Sequence, residues 1–487
     1  TLQGNSVVQG ADKVWRYAGS RDAAGQLVAS MAVVGKSAAP AVSQKLRPSQ
    51  DLVVTAQDIP LGSTPSVAQA GPIGIGGQKS LVILASFANR GPVGSTEAQW
   101  AAKYFGASGS VAAYYRKASF GKFNLTPAAE TFGTANNGVV GWVNLGYNHP
   151  NPQSTNPTAA RKIARDAIAK ANPYVNFAAF DTNKNGIVES KELHVTVIVA
   201  GYETSYGGAA AQCGPSVWGH MSTLTGTSAI QVDGKYVGST GYTEFGEWHC
   251  VSSQRPGHMA TIGIMAHEIG HDIGWPDLYD IDLSGEGIGR WSLMASGSWG
   301  AATGAYPGSS PALPDAFSKY YQRWITPTVI TGSPTSRTIA YAEGSTPTNT
   351  AYLLGSNPYG VDWSWYSKSG KGEYFLVENR QRTSYDVSLP GCGILVYHID
   401  ETRTYTNAAN ATNSRKLVDI EEASGTNPLD RAGYRGSASD TWPGSLGRKV
   451  FSASSTPNSR FYSGADSGST MTVTSTACST SMTAALG

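Results

Sequence analysis

The twelve residues Ala266-His-Glu-Ile-Gly-His-Asp-Ile-Gly-Trp-Pro-Asp277 constrain this chain more than any other stretch. On a helix, His267 and His271 are four apart and leave from one face, where two imidazoles can grip one metal ion. Glu268 lies beside the first histidine, placed to hydrogen-bond a metal-bound water without ligating the metal. Gly274 falls three residues after His271, where helices often end in a left-handed residue that glycine adopts without steric cost. The chain can then double back and bring Asp277 to the metal as a third ligand. Asp280 and Glu286 compete for that role. Three protein ligands and one water form the open arrangement of a catalytic zinc, not the closed shell of a structural one.

Seventeen residues beyond Asp277 stands Met294, within Trp291-Ser-Leu-Met-Ala-Ser-Gly-Ser-Trp299. A methionine in a tight turn beneath the metal is the companion feature of metzincin proteases. The expected chemistry is hydrolysis by metal-activated water, with Glu268 as general base that later returns the proton to the leaving amine. His220, Tyr279 and His258 are candidates by residue type for assisting the oxyanion. The bland alternative is an amphipathic helix with two satisfied histidines and a core methionine.

Gly263–Asp280 together with Gly289–Trp299 resembles the immune inhibitor A family of secreted bacterial metalloproteases. Pro311–Lys319, Tyr374–Gln381 and Leu389–Asp400 fit the same family, so the similarity runs from about 80 to 470 and is densest between 263 and 320. The resemblance implies a zinc endopeptidase acting outside the cell on protein or peptide substrates. Most metzincins have His as the third ligand where this sequence has Asp277, a carboxylate that lowers the net charge at the metal. The first 75 residues match nothing recognisable.

A second cation motif is Asp181-Thr-Asn-Lys-Asn-Gly-Ile-Val-Glu-Ser-Lys-Glu192. It fits a twelve-residue EF-hand loop, with oxygen donors at Asp181, Asn183, Asn185, Glu189 and Glu192, the backbone carbonyl of Ile187, and Gly186 at the sharp turn. A strand pattern follows, not a second helix, so the reading is structural calcium and not a sensor.

Only 14% of the residues are charged, and 36 Lys+Arg against 34 Asp+Glu leave a net charge of +2. Without clustered basic charge, a nucleic-acid partner is not expected. The most apolar stretches, Leu81–Phe87 and Val195–Ala200, have strand length, so a soluble protein with no membrane span is expected; a monomer is also expected. Cys213, Cys250, Cys392 and Cys478 allow three pairings. The 213–250 and 392–478 pairs are preferred because each closes a loop inside one presumed domain, and oxidised pairs imply a secreted, extracellular protein. The chain opens on Thr1 with no leader-like stretch, so a processed chain is expected.

Helix patterns are expected within 98–117, over 156–170 and over 260–273, and strands near 81–87 and 194–201. Beyond about 330 short alternating runs separated by turns predict a β-rich region. The expected fold is α+β: an N-terminal extension or propeptide-like segment (1–75), a metzincin-like catalytic domain with active-site helix and Met-turn (76–330), and a sandwich-like β-rich domain (331–487). Asp51 or Asp58 in the extension could cap the metal. A binding-module alternative, in which aromatic residues of the β-rich part contact carbohydrate or protein and the protease is latent or inactive, is kept beside the enzyme.

Overall fold

The computed structural model describes residues 7–9, 14–21, 27–34, 36–38, 73–153, 155–206, 213–250, 257–355, 357, 372–403 and 408–487. Asp51 and Asp58 lie outside them. Strands β1 (Val7–Gln9), β2 (Trp15–Arg21) and β3 (Leu27–Val33) form an antiparallel meander. No strand was expected here, because the β2–β3 register shifts twice and interrupts the two-residue alternation.

The central sheet starts at β4 (Gly76–Ser86), where Leu81 to Ala85 are fully buried, as a parallel strand covered on both faces requires. Gly76 and Gly77 already belong to this strand. The expected segment 98–117 is two helices, α1 (Glu97–Phe105) and α2 (Val111–Ala118), each started by a hydroxyl cap from Thr96 or Ser110. Then come β5 (Phe123–Pro127), β6 (Val139–Asn144) and α3 (Pro157–Ala171), the last with proline in its first turn. After these, β7 (Ile187–Val188), β8 (Leu193–Glu203), β9 (Ser216–Val217), β10 (His220–Ser222), β11 (Gln231–Val232), β12 (Lys235–Val237), β13 (Tyr242–His249) and β14 (His258–Met259) lead into α4 (Ile262–Asp272).

The strand order is β10-β13-β8-β4-β5, parallel except for the antiparallel edge strand β10. Alternation splits its side chains between two cores. Leu81, Ile83, Val195 and Val197 meet Ile163, Ala164 and Ile168 of α3. Val82, Leu84, Ile198 and Phe245 face the other way, onto Met265 and Ile269 of α4 and onto Trp100 and Tyr104 of α1.

Helix α5 (Ala316–Tyr321) precedes the strands β15 (Thr328–Ile330), β16 (Thr335–Ala340), β17 (Ala351–Leu354), β18 (Glu373–Arg380), β19 (Gly393–Asp400), β20 (Val418–Ile420), β21 (Val450–Phe451), β22 (Met471–Val473) and β23 (Ser481–Leu486). They make a five-stranded sheet, β15-β17-β18-β19-β20, and a four-stranded sheet, β16-β23-β22-β21. Phe375, Val377 and Val396 of the first share a core with Met471, Met482 and Leu486 of the second. Their strand neighbours Leu376, Leu395 and Tyr397 point the opposite way and join the core that holds α4. One apolar core therefore continues past residue 330. Buried charges lock the same junction: Arg380 grips Asp386 bidentately at 2.7 and 2.8 Å and donates to the Trp291 carbonyl at 2.9 Å, while Lys319 pairs with Glu378.

The cysteines pair 213–250 and 392–478, the preferred connectivity. Among the described residues, no helix is long and apolar enough to cross a membrane.

Candidate metal centre and active site

Every residue of α4 is buried, including its polar ones, so each polar side chain there needs a partner. The helix stops where the sequence indicated. Gly274 takes φ +102°, its amide donates to the His271 carbonyl at 2.8 Å, and the Trp275 amide returns to the Gly270 carbonyl at 2.9 Å. The reversed chain carries Asp277 back against the helix.

There the two imidazoles and the carboxylate converge. Nε2 of His267 and Nε2 of His271 each lie 3.1 Å from Oδ1 of Asp277. Exposure is 0%, 6% and 0% for His267, His271 and Asp277. Backbone carbonyls orient both rings: Nδ1 of His267 faces the Leu293 oxygen at 2.9 Å and Nδ1 of His271 faces the Trp275 oxygen at 2.7 Å. A carbonyl only accepts, so Nδ1 carries the hydrogen in each ring and Nε2 of the neutral imidazole presents a lone pair. Two lone pairs then point at one carboxylate oxygen. In a buried site that is repulsive unless positive charge lies between them. Oδ2 of Asp277 is buried without a hydrogen-bond partner. Burial alone would raise the Asp277 carboxyl; with no ion between the groups, only positive charge from protons on the facing imidazoles overrides it, and that charge holds it well below the carboxylate range. The donor set of two imidazole nitrogens and one carboxylate suits zinc, and the residues present fit such an ion. Among the described residues, this is the only set of three His, Cys, Asp or Glu donors lying within 4.8 Å of one another.

Asp280 and Glu286 are engaged elsewhere. Asp280 accepts from Asp282, Ser284 and Gly285 in its own turn, and Glu286 accepts from the Gly433 amide at 2.6 Å. Glu268 stands beside His267 on α4 and is 1% exposed. Met294 lies under the helix: a Cβ added to Gly270 would sit 2.5 Å from its sulfur, and its carbonyl accepts from the Leu278 amide. Of the three residues considered for the oxyanion, Tyr279 has its ring 6.3 Å from that of His267. His220 instead bonds Trp218 and Tyr242, with Tyr242 packed in the α3 core, and His258 stacks on Tyr306 at 3.6 Å.

The 181–192 loop curls as its glycine demands, with Gly186 at φ +88°. Oxygens of Asp181 accept from the Asn185 and Gly186 amides, both at 3.0 Å. Glu192 accepts from the backbone amide of Thr182 at 2.8 Å and from that of Glu189 at 3.1 Å, while the side-chain Nδ2 groups of Asn183 and Asn185 both donate to the Glu189 carboxylate at 3.2 Å. Ile187 opens β7, which pairs with β12. Lys235 enters the ring as well, its Nζ 2.6 Å from Asp181, and with the amides it keeps that carboxyl below its usual range. The carboxylates are brought around one loop, but they do not converge as the His267 group does.

Sequence reasoning missed Asp272, the last residue of α4, although its position next to His271 was a signal. Its carboxylate accepts from Ser190 Oγ at 2.7 Å and faces His194 Nδ1 at 2.5 Å. It also missed Arg380, which no local spacing marks.

Residues 101–326 match the immune inhibitor A peptidase M6 catalytic domain. Over that range the chain is similar to an M6 peptidase domain. The match spans α4, the returning Asp277 and the Met294 turn, and so bears out the family resemblance. Over 198 residues the chain is 27% identical to the pre-pro-metalloprotease PrtV of Vibrio cholerae serotype O1, covering 37% of this chain and 20% of that protein. Over 178 residues it is 29% identical to Immune inhibitor A of Bacillus thuringiensis subsp. alesti, covering 34% of this chain and 25% of that protein. The chain thus matches no more than a quarter of these relatives' length. Strand β4 precedes the matched M6 range, yet β5, β6 and β8 all pair with it.

Proposed function

We propose that this chain is a secreted zinc endopeptidase that hydrolyses protein substrates, with His267, His271 and Asp277 as metal ligands and Glu268 as general base. The observation that carries the reading is the buried convergence of two oriented imidazoles on Asp277, inside a stretch that matches a peptidase domain. Zinc held there would supply Lewis acidity, bringing the pKa of a coordinated water down to about 7. Glu268 takes the proton from the attacking water and delivers it to the leaving amine. The carbonyls of Leu293 and Trp275 keep each Nε2 available, and Met294 forms a metzincin-type turn that supports the helix from below. The division into an extension (1–75), a catalytic part (76–330) and a sandwich-like β-rich part (331–487) belongs to the same reading. Two disulfides support an extracellular setting.

Casein cleavage by the purified chain, with bound metal quantified in the same sample, tests this. We expect about one zinc per chain, loss of cleavage with o-phenanthroline, and a loss of at least ~10²-fold in Glu268→Gln with zinc retained. Full activity in that variant would remove Glu268 from the mechanism. Zinc-free, inactive protein would overturn the reading.

The 181–192 loop is read as a structural calcium site. Calcium must displace the Lys235 ammonium from Asp181, so Lys235→Met should tighten calcium binding in isothermal titration. Calcium should also raise the thermal midpoint of the parent chain. No binding heat in either protein would remove the site.

A further inference from the structure

The residue after the second histidine is held more tightly than a helix end requires. Asp272 is 4% exposed, and each of its carboxylate oxygens has its own donor: Ser190 Oγ at 2.7 Å on Oδ1 and His194 Nδ1 at 2.5 Å on Oδ2. His194 is in turn fixed from behind. Its Nε2 lies 2.7 Å from Gln78 Oε1, and the Gln78 amide nitrogen donates to the carbonyls of Ile73 and Ile75, which leaves the amide oxygen for the ring. His194 is therefore held at both nitrogens. Space for the carboxylate is reserved too: a Cβ on Gly241 would lie 1.9 Å from Asp272 Oδ1 and 2.6 Å from Ser190 Oγ.

The two ends of this chain of bonds matter. Asp272 follows His271 and begins the turn through Ile273 and Gly274 to Trp275, whose carbonyl orients the His271 ring. It thus stands at the start of the turn that joins His271 to the carbonyl that aims it. Ser190 sits in the acidic loop between Glu189 and Glu192. The Glu192 carboxylate accepts from the Glu189 amide, the amides of Glu192 and Leu193 close back on the Glu189 carbonyl, and the Ser190 amide is pinned to Thr240 Oγ1 at 2.9 Å. A cation that draws Glu189 and Glu192 together selects one position of this turn, and so one position of the Ser190 hydroxyl.

We propose that Asp272 is a positioning residue that couples the 181–192 loop to the His267/His271/Asp277 centre, so that cation occupancy of the loop and metal retention at the centre strengthen each other. The inference rests on the zinc and calcium readings above. It differs from them in requiring that the two sites share binding free energy, which linkage makes reciprocal.

The test compares zinc affinity, by competition with a chromophoric chelator, in calcium-free and calcium-saturated full-length protein. Calcium affinity is measured in parallel by titration calorimetry on zinc-loaded and zinc-free protein. In the parent chain we expect calcium to raise zinc affinity at least about fivefold, the low end of measured couplings, and zinc to raise calcium affinity by the same factor. Asp272→Asn should bring both factors to about one. Because that change strips His194 of its carboxylate inside the core, Ser190→Ala is the milder variant, with the same loss of coupling and with each metal still binding alone. Ser190→Thr, which keeps the hydroxyl, should restore the coupling. Calcium binding with zinc affinity unmoved in the parent chain, or full coupling in Ser190→Ala, would overturn the proposal and leave the calcium reading standing. Zinc binding without any calcium heat would overturn both the proposal and the calcium reading. Loss of zinc binding in the parent chain would overturn the zinc reading with it.

Discussion

His398 shows how strongly single side chains are conditioned by this fold. It is 2% exposed, with Glu373 3.0 Å from one ring nitrogen, Glu421 3.1 Å from the other and the Tyr462 ring stacked at 4.3 Å. Burial pushes the imidazole down, but the two carboxylates outweigh it and raise it to about 9. A folded-state value above the unfolded one stabilises fully below the unfolded pKa near 6.5 and is lost as pH rises through about 9. Urea unfolding should therefore show stability falling by on the order of 3 kcal/mol between pH 6.5 and 9.5, and His398→Gln should flatten that slope. A parent chain equally stable at both ends of the window would contradict the charged imidazole. At this scale the metal centre was legible in part. His267, Glu268 and His271 follow from helical spacing, which is local. Asp277 against Asp280 or Glu286 depends on how the chain turns after Gly274, and only the folded turn separates them.

The helix α4 carries the next argument. Glycine at 270 is costly in a helix, since alanine is favoured by roughly 1 kcal/mol. Here the helix face at 270 has no room for a methyl group: a Cβ would lie 2.5 Å from Met294 Sδ and 3.0 Å from Trp275 Cε3. Crowding of this kind costs typically 1–3 kcal/mol. Gly270→Ala should thus lower thermal stability despite its better propensity, and weaken zinc retention by displacing the turn that carries Leu293 and Met294. A more stable variant would show that Met294 does not bear on the helix as described. Other elements were readable to different degrees. The apolar runs of β4 and β8 and the helices α3 and α4 followed from periodicity, whereas α1 and α2 read as one segment because the break at Gly106 is a backbone event. A Cβ there would meet the Ala102 carbonyl at 2.4 Å. The strands β1 to β3 were missed, and among them the pairing of β2 with β3 is irregular in register.

For the whole molecule, the decisive contact is the one between the strands after residue 330 and the segment that supports the His267/His271/Asp277 group. Arg380 is fully buried and binds Asp386, Trp291 and Leu313 at once. Removing one partner of a buried ion pair costs about 3–5 kcal/mol, because the other charge stays buried. Arg380→Met should cost that much in chemical denaturation and loosen the Met294 turn together with the five-stranded sheet. A loss below about 1 kcal/mol would mean that the sheet docks by apolar contact alone. Sequence by itself determined the features that local geometry dictates: the two imidazoles on one helix face, the glycine that ends the helix and the strand-rich second half; the preferred cysteine pairs rested on loop closure, not on local geometry. Tertiary structure alone decided which carboxylate meets the imidazoles, that Asp272 reaches Ser190 and His194, and that one core runs through both halves of the chain. The reason is physical: helix spacing and turn preference act over a few residues, whereas Asp272 and Ser190 lie 82 positions apart and meet only through packing, and even Asp277, 10 positions from His267, reaches it only through the folded turn after Gly274.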